Sequence, residues 1–344
     1  MSLDVTGTSN VIGGSDTVVN ATLSGAGATV YGGAGAVTAD VTSTASAIAF
    51  SGGAGGLTAT LGGGTTTVYG GTGAVSLDVT GTSNVIGLDR VDAAPPVLAD
   101  SATLGGSGNV FYAGSSAASI DLTGSNNTIS AYSGAVAVTA SGGATNNLVY
   151  GGSGTLSFVG GTGNATVFGS SGAATVAGGG GNTTLFGGAN GVLTYTDSSG
   201  SAIYSAGFGN ETLNASGAAS NMTIIGAASS VNGASLVDSL VGGTGQDTFY
   251  AGTGADTMVA NGAKNAFVFN KSVISGSSPQ DFISGFLGSD SVVLGGYGSA
   301  AAAAALTSAV SAGGNTTLTL SDNTKITFVG IGSANALNGN VFSS

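Results

Sequence analysis

A chain of 344 residues with 66 Gly, 42% apolar residues and only 6% charged residues is better suited to a thin stacked core than to a deep globular one. Its net charge of −12, from 15 Asp and Glu211 against Arg90, Lys264, Lys271 and Lys325, argues against nucleic acid as a partner and for cations. With neither His nor Cys, it is denied a Ser-His-Asp triad, a thiol nucleophile, an HExxH zinc site and a disulfide framework.

Met1–Gly13 has neither a basic start nor an apolar core of the kind a signal peptide needs, and no stretch approaches the ~20 apolar residues of a membrane span. The chain is therefore expected to be cytoplasmic or to carry an export signal elsewhere. Ser2–Gly13 recurs letter for letter at Ser76–Gly87, so the first 87 residues contain a duplication. Ile12, Tyr31, Phe50 and Tyr69 follow one another at 19-residue steps, which predicts one coil per step. Asp40, Asp78 and Asp121 each lie nine residues after a Tyr, between alternating apolar residues, and should face solvent. Such a stripe either binds cations or only keeps an uncharged face soluble, and the second reading is favoured.

Leu88–Ser101 breaks the pattern with Arg90, Pro95, Pro96 and three Asp residues, and reads as a loop thrown out of the stack. A carboxylate pair for glycoside chemistry is possible in principle, for instance Asp89 and Asp92 beside Arg90. Solvating a loop explains them better, and the chain is expected not to be an enzyme.

Gly142–Phe186 divides without remainder into five nonapeptides, each a glycine-rich half followed by a short β-prone run with an apolar eighth residue: Val149, Phe158, Val167, Val176 and Leu185. Glycine reaches left-handed backbone angles without a Cβ penalty, so each nonapeptide reads as a turn and a strand. Two of them close a flattened coil of roughly 18 residues, and coils stack as parallel strands about 4.8 Å apart with the eighth residue inside. Tyr132, Tyr150, Phe168, Phe186 and Tyr204, the last four evenly spaced at two nonapeptides, fall next to the inward position and are expected outside. As an exposed ladder, Tyr150, Phe168, Phe186 and Tyr204 could stack on polysaccharide or on another solenoid; packing along their own column is the plainer account.

Beyond Tyr204 come AGFGNETLN with Glu211 at its sixth place, GASLVDSLV with Asp238, GGTGQDTFY with Asp247 and AGTGADTMV with Asp256. The last two fit GGxGxDxUx, and here the chain resembles the RTX family of calcium-binding β-roll proteins exported by type I secretion. The resemblance implies that turn carbonyls around Gly242, Gly243, Gly245, Gly252 and Gly254, with the carboxylates of Asp238, Asp247 and Asp256, hold Ca2+, a hard cation that takes six to eight oxygens. Turns two nonapeptides apart share an edge, which pairs Asp238 with Asp256 and Asp247 with Asn265, and places Glu211 on the Asp247 edge with Ser229 between. The upstream sixth positions, Asn147, Leu156, Ala165, Ala174 and Thr183, lack the carboxylate, so one to three calcium sites are expected, all near the C-terminal end.

Residues 265–344 also resemble the region that follows β-rolls in type I substrates, and Val341–Ser344 an uncleaved C-terminal export signal. Ala300–Ala312 is predicted helical, stopped by Gly313 and Gly314, and Thr316–Leu320 with Lys325–Val329 is predicted to form a hairpin covering the last coil. The expected fold is all-β: a parallel β-solenoid or β-roll of ~18–20-residue coils with a small β-rich C-terminal cap containing one short helix. The expected divisions are residues 1–87, solenoid coils; 88–101, loop; 102–262, solenoid running into RTX nonapeptides; and 263–344, cap and secretion region. The expected role is a secreted, extracellular or cell-surface calcium-binding structural protein of a surface layer, biofilm matrix or adhesin. Self-association through the open first coil is expected if Met1 is the natural start. The alternative is a module binding polysaccharide, or ice through threonines such as Thr65–Thr67 and Thr183-Thr184.

Overall fold

Val, Ile, Thr and aromatic residues in runs of three to five, punctuated by Gly and Ser, leave the chain little choice but short strands joined by tight turns. The computed structural model describes residues 2–14, 17–42, 49–51, 53–88, 99–189, 191–197, 199–207, 209–227, 236–274 and 278–344. Two compact units, Met1–Ser170 and Ser171–Ser344, make up the chain. Each is a parallel β-solenoid whose successive strands alternate between two facing sheets.

In the N-terminal unit the register fixes the coils. One sheet stacks Ile12 on Val30, then Phe50, Val68, Ile86, Phe111, Ile129, Val149 and Val167, and the described side chains of this inward column are buried. Successive members of the column therefore stand 18 or 20 positions apart, except Ile86 and Phe111, which stand 25 apart. The even 19-residue step does not survive: Tyr31 and Tyr69 are half exposed beside the inward column, while Ile12 occupies it and Phe50 stands in register with it. A longer coil followed by a shorter one, from Tyr31 to Ser51 to Tyr69, mimics two equal steps, and a one-residue slip moves a side chain to the opposite face. The longest coil absorbs the Pro-containing stretch. Asp100 and Ser101, expected in the loop, instead belong to the strand Asp100–Leu104, where the Asp100 carboxylate is buried and accepts the Val75 N–H at 2.8 Å. Arg90, Asp89, Asp92 and both prolines lie outside the described residues.

The turns leading into this sheet bury a polar column. Asn84 Oδ1 accepts the Thr66 N–H, Asn109 that of Asn84, Asn127 that of Asn109 and Asn147 that of Asn127, all at 2.8–2.9 Å. The side-chain amides of Asn109, Asn127 and Asn147 donate to the carbonyls of Gly81, Gly106 and Gly124. All four Asn are buried, and each sits two residues before an inward apolar residue. Turn amides that strand pairing leaves over are thus satisfied by the next coil's side chain.

The C-terminal unit continues the same grammar through the strand Gln280–Ser284 of one sheet and Ser291–Gly295 of the other. Its last coil is closed by Lys325–Phe328 and Val341–Ser343, each pairing in parallel with the coil below. Asn315–Thr319 pairs antiparallel with Lys325–Phe328, as the hairpin reading required. The helix is shorter than Ala300–Ala312: it spans Ala301–Thr307, and Val310–Ala312 is a strand antiparallel to Asn315–Thr319. Gly313 and Gly314 do not stop that helix; they lie at φ +59° and +81° and form the two-residue turn of the hairpin, a turn that needs positive φ at both places. A second helical turn, Lys271–Ile274, sets Lys271 Nζ 5.5 Å from the centre of the Tyr297 ring.

Truncating Asn127 to Ala removes the acceptor for the Asn109 N–H and the donor for the Gly106 carbonyl, both buried. We expect a loss of about 2–6 kcal/mol in urea unfolding, at 1–3 kcal/mol per orphaned group. A change under ~0.5 kcal/mol, the size of an ordinary surface substitution, would show that the column is not structural.

Candidate metal centre in the C-terminal unit

From Glu211 onward the same position, two residues before an inward apolar side chain, becomes mostly acidic. Before one sheet it runs Glu211, Asp238, Asp256 and Asp281; before the other, Asp247, Asn265 and Asp290. All seven are buried. Asp238 Oδ1 accepts the Glu211 N–H at 3.0 Å, Asp256 Oδ1 that of Asp238 at 3.3 Å and Asp281 Oδ1 that of Asp256 at 2.9 Å. On the other side Asp247 Oδ1 accepts the Met222 N–H, Asn265 Oδ1 that of Asp247 and Asp290 Oδ1 that of Asn265, at 2.8–2.9 Å.

The structure brings together Asp238 with Asp256, and Asp247 with Asn265, the pairs expected from the spacing of two nonapeptides. Glu211 is different: it stacks under Asp238, not on the Asp247 side. Between Glu211 and Asp238 one coil takes 27 residues, three nonapeptides in place of two, so the parity of edges flips. Ser229, placed between Glu211 and Asp247 in that count, lies outside the described residues. Asp281 and Asp290 were missed because their coils take 25 residues. The spacing of a carboxylate two residues before an inward apolar residue, as in Asp281-Phe-Ile283 and Asp290-Ser-Val292, would have found them.

The glycines act otherwise than expected. None of Gly242, Gly243, Gly245, Gly252 and Gly254 is among the positive-φ residues. They are required by proximity: an added Cβ would stand 2.3 Å from the Ala218 carbonyl oxygen at Gly243, 2.3 Å from that of Ser220 at Gly245, 2.2 Å from that of Ala227 at Gly252 and 1.2 Å from that of Leu236 at Gly254. At Gly242 it would meet Asp247 Oδ2 at 2.4 Å. Close stacking of turn on turn thus lines these edges with carbonyl oxygens beside the carboxylates.

Charge in this column comes at a cost. Burial pushes the carboxyl of Asp247 up to about 6, those of Glu211 and Asp256 to about 7 and that of Asp281 to about 8, and raises Asp238 as well. Like charge one coil away adds to the shift at Glu211, Asp256 and Asp281. Ala227 N–H and Gly252 N–H satisfy the second oxygens of Asp238 and Asp256. Glu211 Oε2 takes the Gly207 N–H and the Tyr204 hydroxyl. Among the described residues three buried carboxylate oxygens receive no donor: Glu211 Oε1, Asp247 Oδ2 and Asp281 Oδ2. The Gly243 amide offsets part of the desolvation of Asp247 without bonding Oδ2.

Among the described residues no three acidic side chains converge on one point, so any ion here would draw further ligands from turn carbonyls. The donor set nevertheless suits a hard cation: oxygens only, with three unpartnered carboxylate atoms. Coils about 4.8 Å apart also stand at roughly twice a calcium–oxygen distance.

Of the four aromatics expected in an exposed ladder, Tyr150 and Phe168 do stack, with ring centroids 4.6 Å apart and 17° between planes. Phe186, in the other unit, is half-buried. Tyr204 is fully buried and pairs with inward Leu185, because this coil is one residue longer than two nonapeptides and shifts it one place inward. Tyr132 lies in a turn after the strand Thr128–Ser130, outside the Tyr150 column, which holds Ser130 instead. No protein-family model matches the chain, and no curated protein matches it. Among the described residues no helix is long and apolar enough to cross a membrane.

Without added cation, the folded C-terminal unit holds protons that the unfolded chain has released above about pH 4. Its stability is therefore greatest below that pH and falls as pH rises through the folded values of about 6 to 8. Thermal unfolding in chelator should show a midpoint that drops from pH 5 to pH 8; a midpoint that rises over this range contradicts the assignment.

Proposed function

We propose that the chain is a calcium-binding structural protein of the RTX β-roll kind, exported by a type I route and working outside the cell as a non-catalytic component of a surface layer, matrix or adhesin. One observation carries the reading. The amide-accepting column is built from neutral Asn at 84, 109, 127 and 147, and from buried carboxylates at 238, 247, 256, 281 and 290, in the same local geometry, with the buried carboxylate of Glu211 below Asp238. Asparagine fills the structural role at no charge, so the acidic version needs a reason that repays its desolvation. A bound cation is that reason.

On this reading Glu211, Asp238, Asp256 and Asp281 with the carbonyls around Gly252 and Gly254 serve one edge. Asp247 and Asp290 with those around Gly242, Gly243 and Gly245 serve the other. Calcium, when bound, supplies positive charge between like-charged coils. The residues fix the turns and exclude water. In a low-calcium compartment repulsion loosens these coils, and in a calcium-rich one they close, which suits a protein whose final fold is set after export. The ice-binding alternative has no regular threonine array behind it: along the outward column Thr22, Thr60 and Thr103 alternate with Asp4, Asp40, Asp78 and Asp121.

The neutral, near-isosteric pair Asp247→Asn with Asp256→Asn separates ladder from ligand. In chelator at pH 8 the variant should melt at or above the parent's temperature, and millimolar calcium, which raises the parent's midpoint, should leave the variant's unmoved. A parent indifferent to calcium, or a variant that still responds in full, would remove the proposal.

A further inference from the structure

Outward residues of the N-terminal unit repeat every second coil. On one face Asp4, Thr22, Asp40, Thr60, Asp78, Thr103, Asp121 and Thr139 stand in register. On the other, the order is Gly13, Tyr31, Ser51, Tyr69, Gly87, Tyr112, Ser130, Tyr150. Coils with Asp on the first face have Gly or Ser on the second, and coils with Thr have Tyr. The strands of the second face, from Val11–Gly13 to Ala165–Phe168, contain no charged residue.

This second face is a comb. Tyr31, Tyr69 and Tyr112 are 50–51% exposed and Tyr150 38%, an unusual amount of aromatic surface to leave in water. Consecutive teeth are two coils, about 9.6 Å, apart; between them the register holds Ser51, Gly87 and Ser130, and gaps fall at Gly87 and Ser130. The gap at Ser130 opens as a cleft of about 350 Å3 beside Tyr112, with Tyr132 on its rim. At the end of the comb Phe168 follows Tyr150 in the very next coil, and the two rings stack at 4.6 Å. One coil is thus a stacking distance in this column, and a two-coil gap has room for one further ring.

We propose that this face pairs with the same face of a second copy, the tyrosines of each entering the Gly and Ser gaps of the other. The two combs share one period, so teeth that fit one gap fit all. Every inserted ring would have neighbours about 4.8 Å away on both sides, the contact Phe168 already makes with Tyr150 in one chain. Charge selects the face: the opposite one carries four exposed carboxylates and repels its like, whereas the comb meets its like without repulsion. The area suffices. Nine strands span about 40 Å and the face with its flanking turns is about 20 Å wide, roughly 800 Å2 per copy, half of a standard-size interface. A polysaccharide is the competing occupant, but it stacks on ring faces, and those of Tyr150 and Phe168 are turned toward each other.

This contact names the surface by which the structural protein proposed above assembles, and it involves none of the acidic column. The test is sedimentation velocity of the full chain over a concentration series in chelator, so that its failure is separate from failure of the calcium reading. The parent should shift from monomer to dimer. Two variant pairs alter the comb in opposite ways. Tyr69→Ser with Tyr112→Ser removes teeth, using the residue that this column already holds at 51 and 130. Gly87→Tyr with Ser130→Tyr fills gaps; Gly87 has ordinary φ and room for a Cβ, whose nearest neighbour would be Tyr69 Cδ1 at 3.9 Å. Each pair should keep the parent's circular dichroism and weaken dimerisation by about tenfold or more. A parent that stays monomeric at every concentration overturns the proposal, as does a dimer indifferent to whichever pair folds. A monomer that binds insoluble polysaccharide through the same tyrosines also overturns it and gives the face to glycans.

Discussion

Stacking coils in parallel every ~4.8 Å imposes one constraint on everything else: whatever a residue does, its counterpart one coil away must be able to do beside it. Apolar columns meet this without difficulty. Turn amides do not, because strand pairing ends where the chain bends inward and the leftover N–H groups are out of water's reach. At a subset of turns the protein answers with a side chain, placed two residues before an inward apolar residue, whose oxygen accepts the amide of the neighbouring coil. Asn84, Asn109, Asn127 and Asn147 show the neutral form, and Asp238, Asp256 and Asp281 the charged one.

Glycine follows from the same constraint. At Gly254 there is 1.2 Å between the site of a Cβ and the Leu236 carbonyl oxygen, so the turns can nest only if that atom is missing. The high glycine content therefore reports backbone approaching backbone. Left-handed conformations occur at other turn positions, several filled by Ser or Asn: Ser83, Asn126 and Asn146 have φ of +56° to +58°, each immediately before a ladder Asn.

Much of the fold was legible because periodic sequence maps directly onto periodic structure. The inward eighth residues Val149, Phe158, Val167, Val176 and Leu185 are all buried. What failed was counting. Coils with repeats of 18, 20, 25 and 27 share one architecture, since extra residues leave at the turns, and each irregular coil shifts every later position inferred by arithmetic. Tyr204 went inside and Glu211 changed edges for that reason. The Gly313-Gly314 turn shows a different limit: an alanine run followed by two glycines specifies a helix and an end, but which of several turns the glycines make depends on the strand waiting beyond them.

The central claim is that the carboxylates of the second unit stand in the ladder for their charge as well as for their hydrogen bonds. Hydrogen exchange at the ladder amides, with calcium and with chelator, tests it most directly. The N–H groups of Glu211, Asp238 and Asp256 should gain protection when calcium is added, while those of Asn84, Asn109 and Asn127 stay as they were. Equal protection of both sets in both conditions would mean that the acidic residues serve the ladder alone, and that no cation completes it.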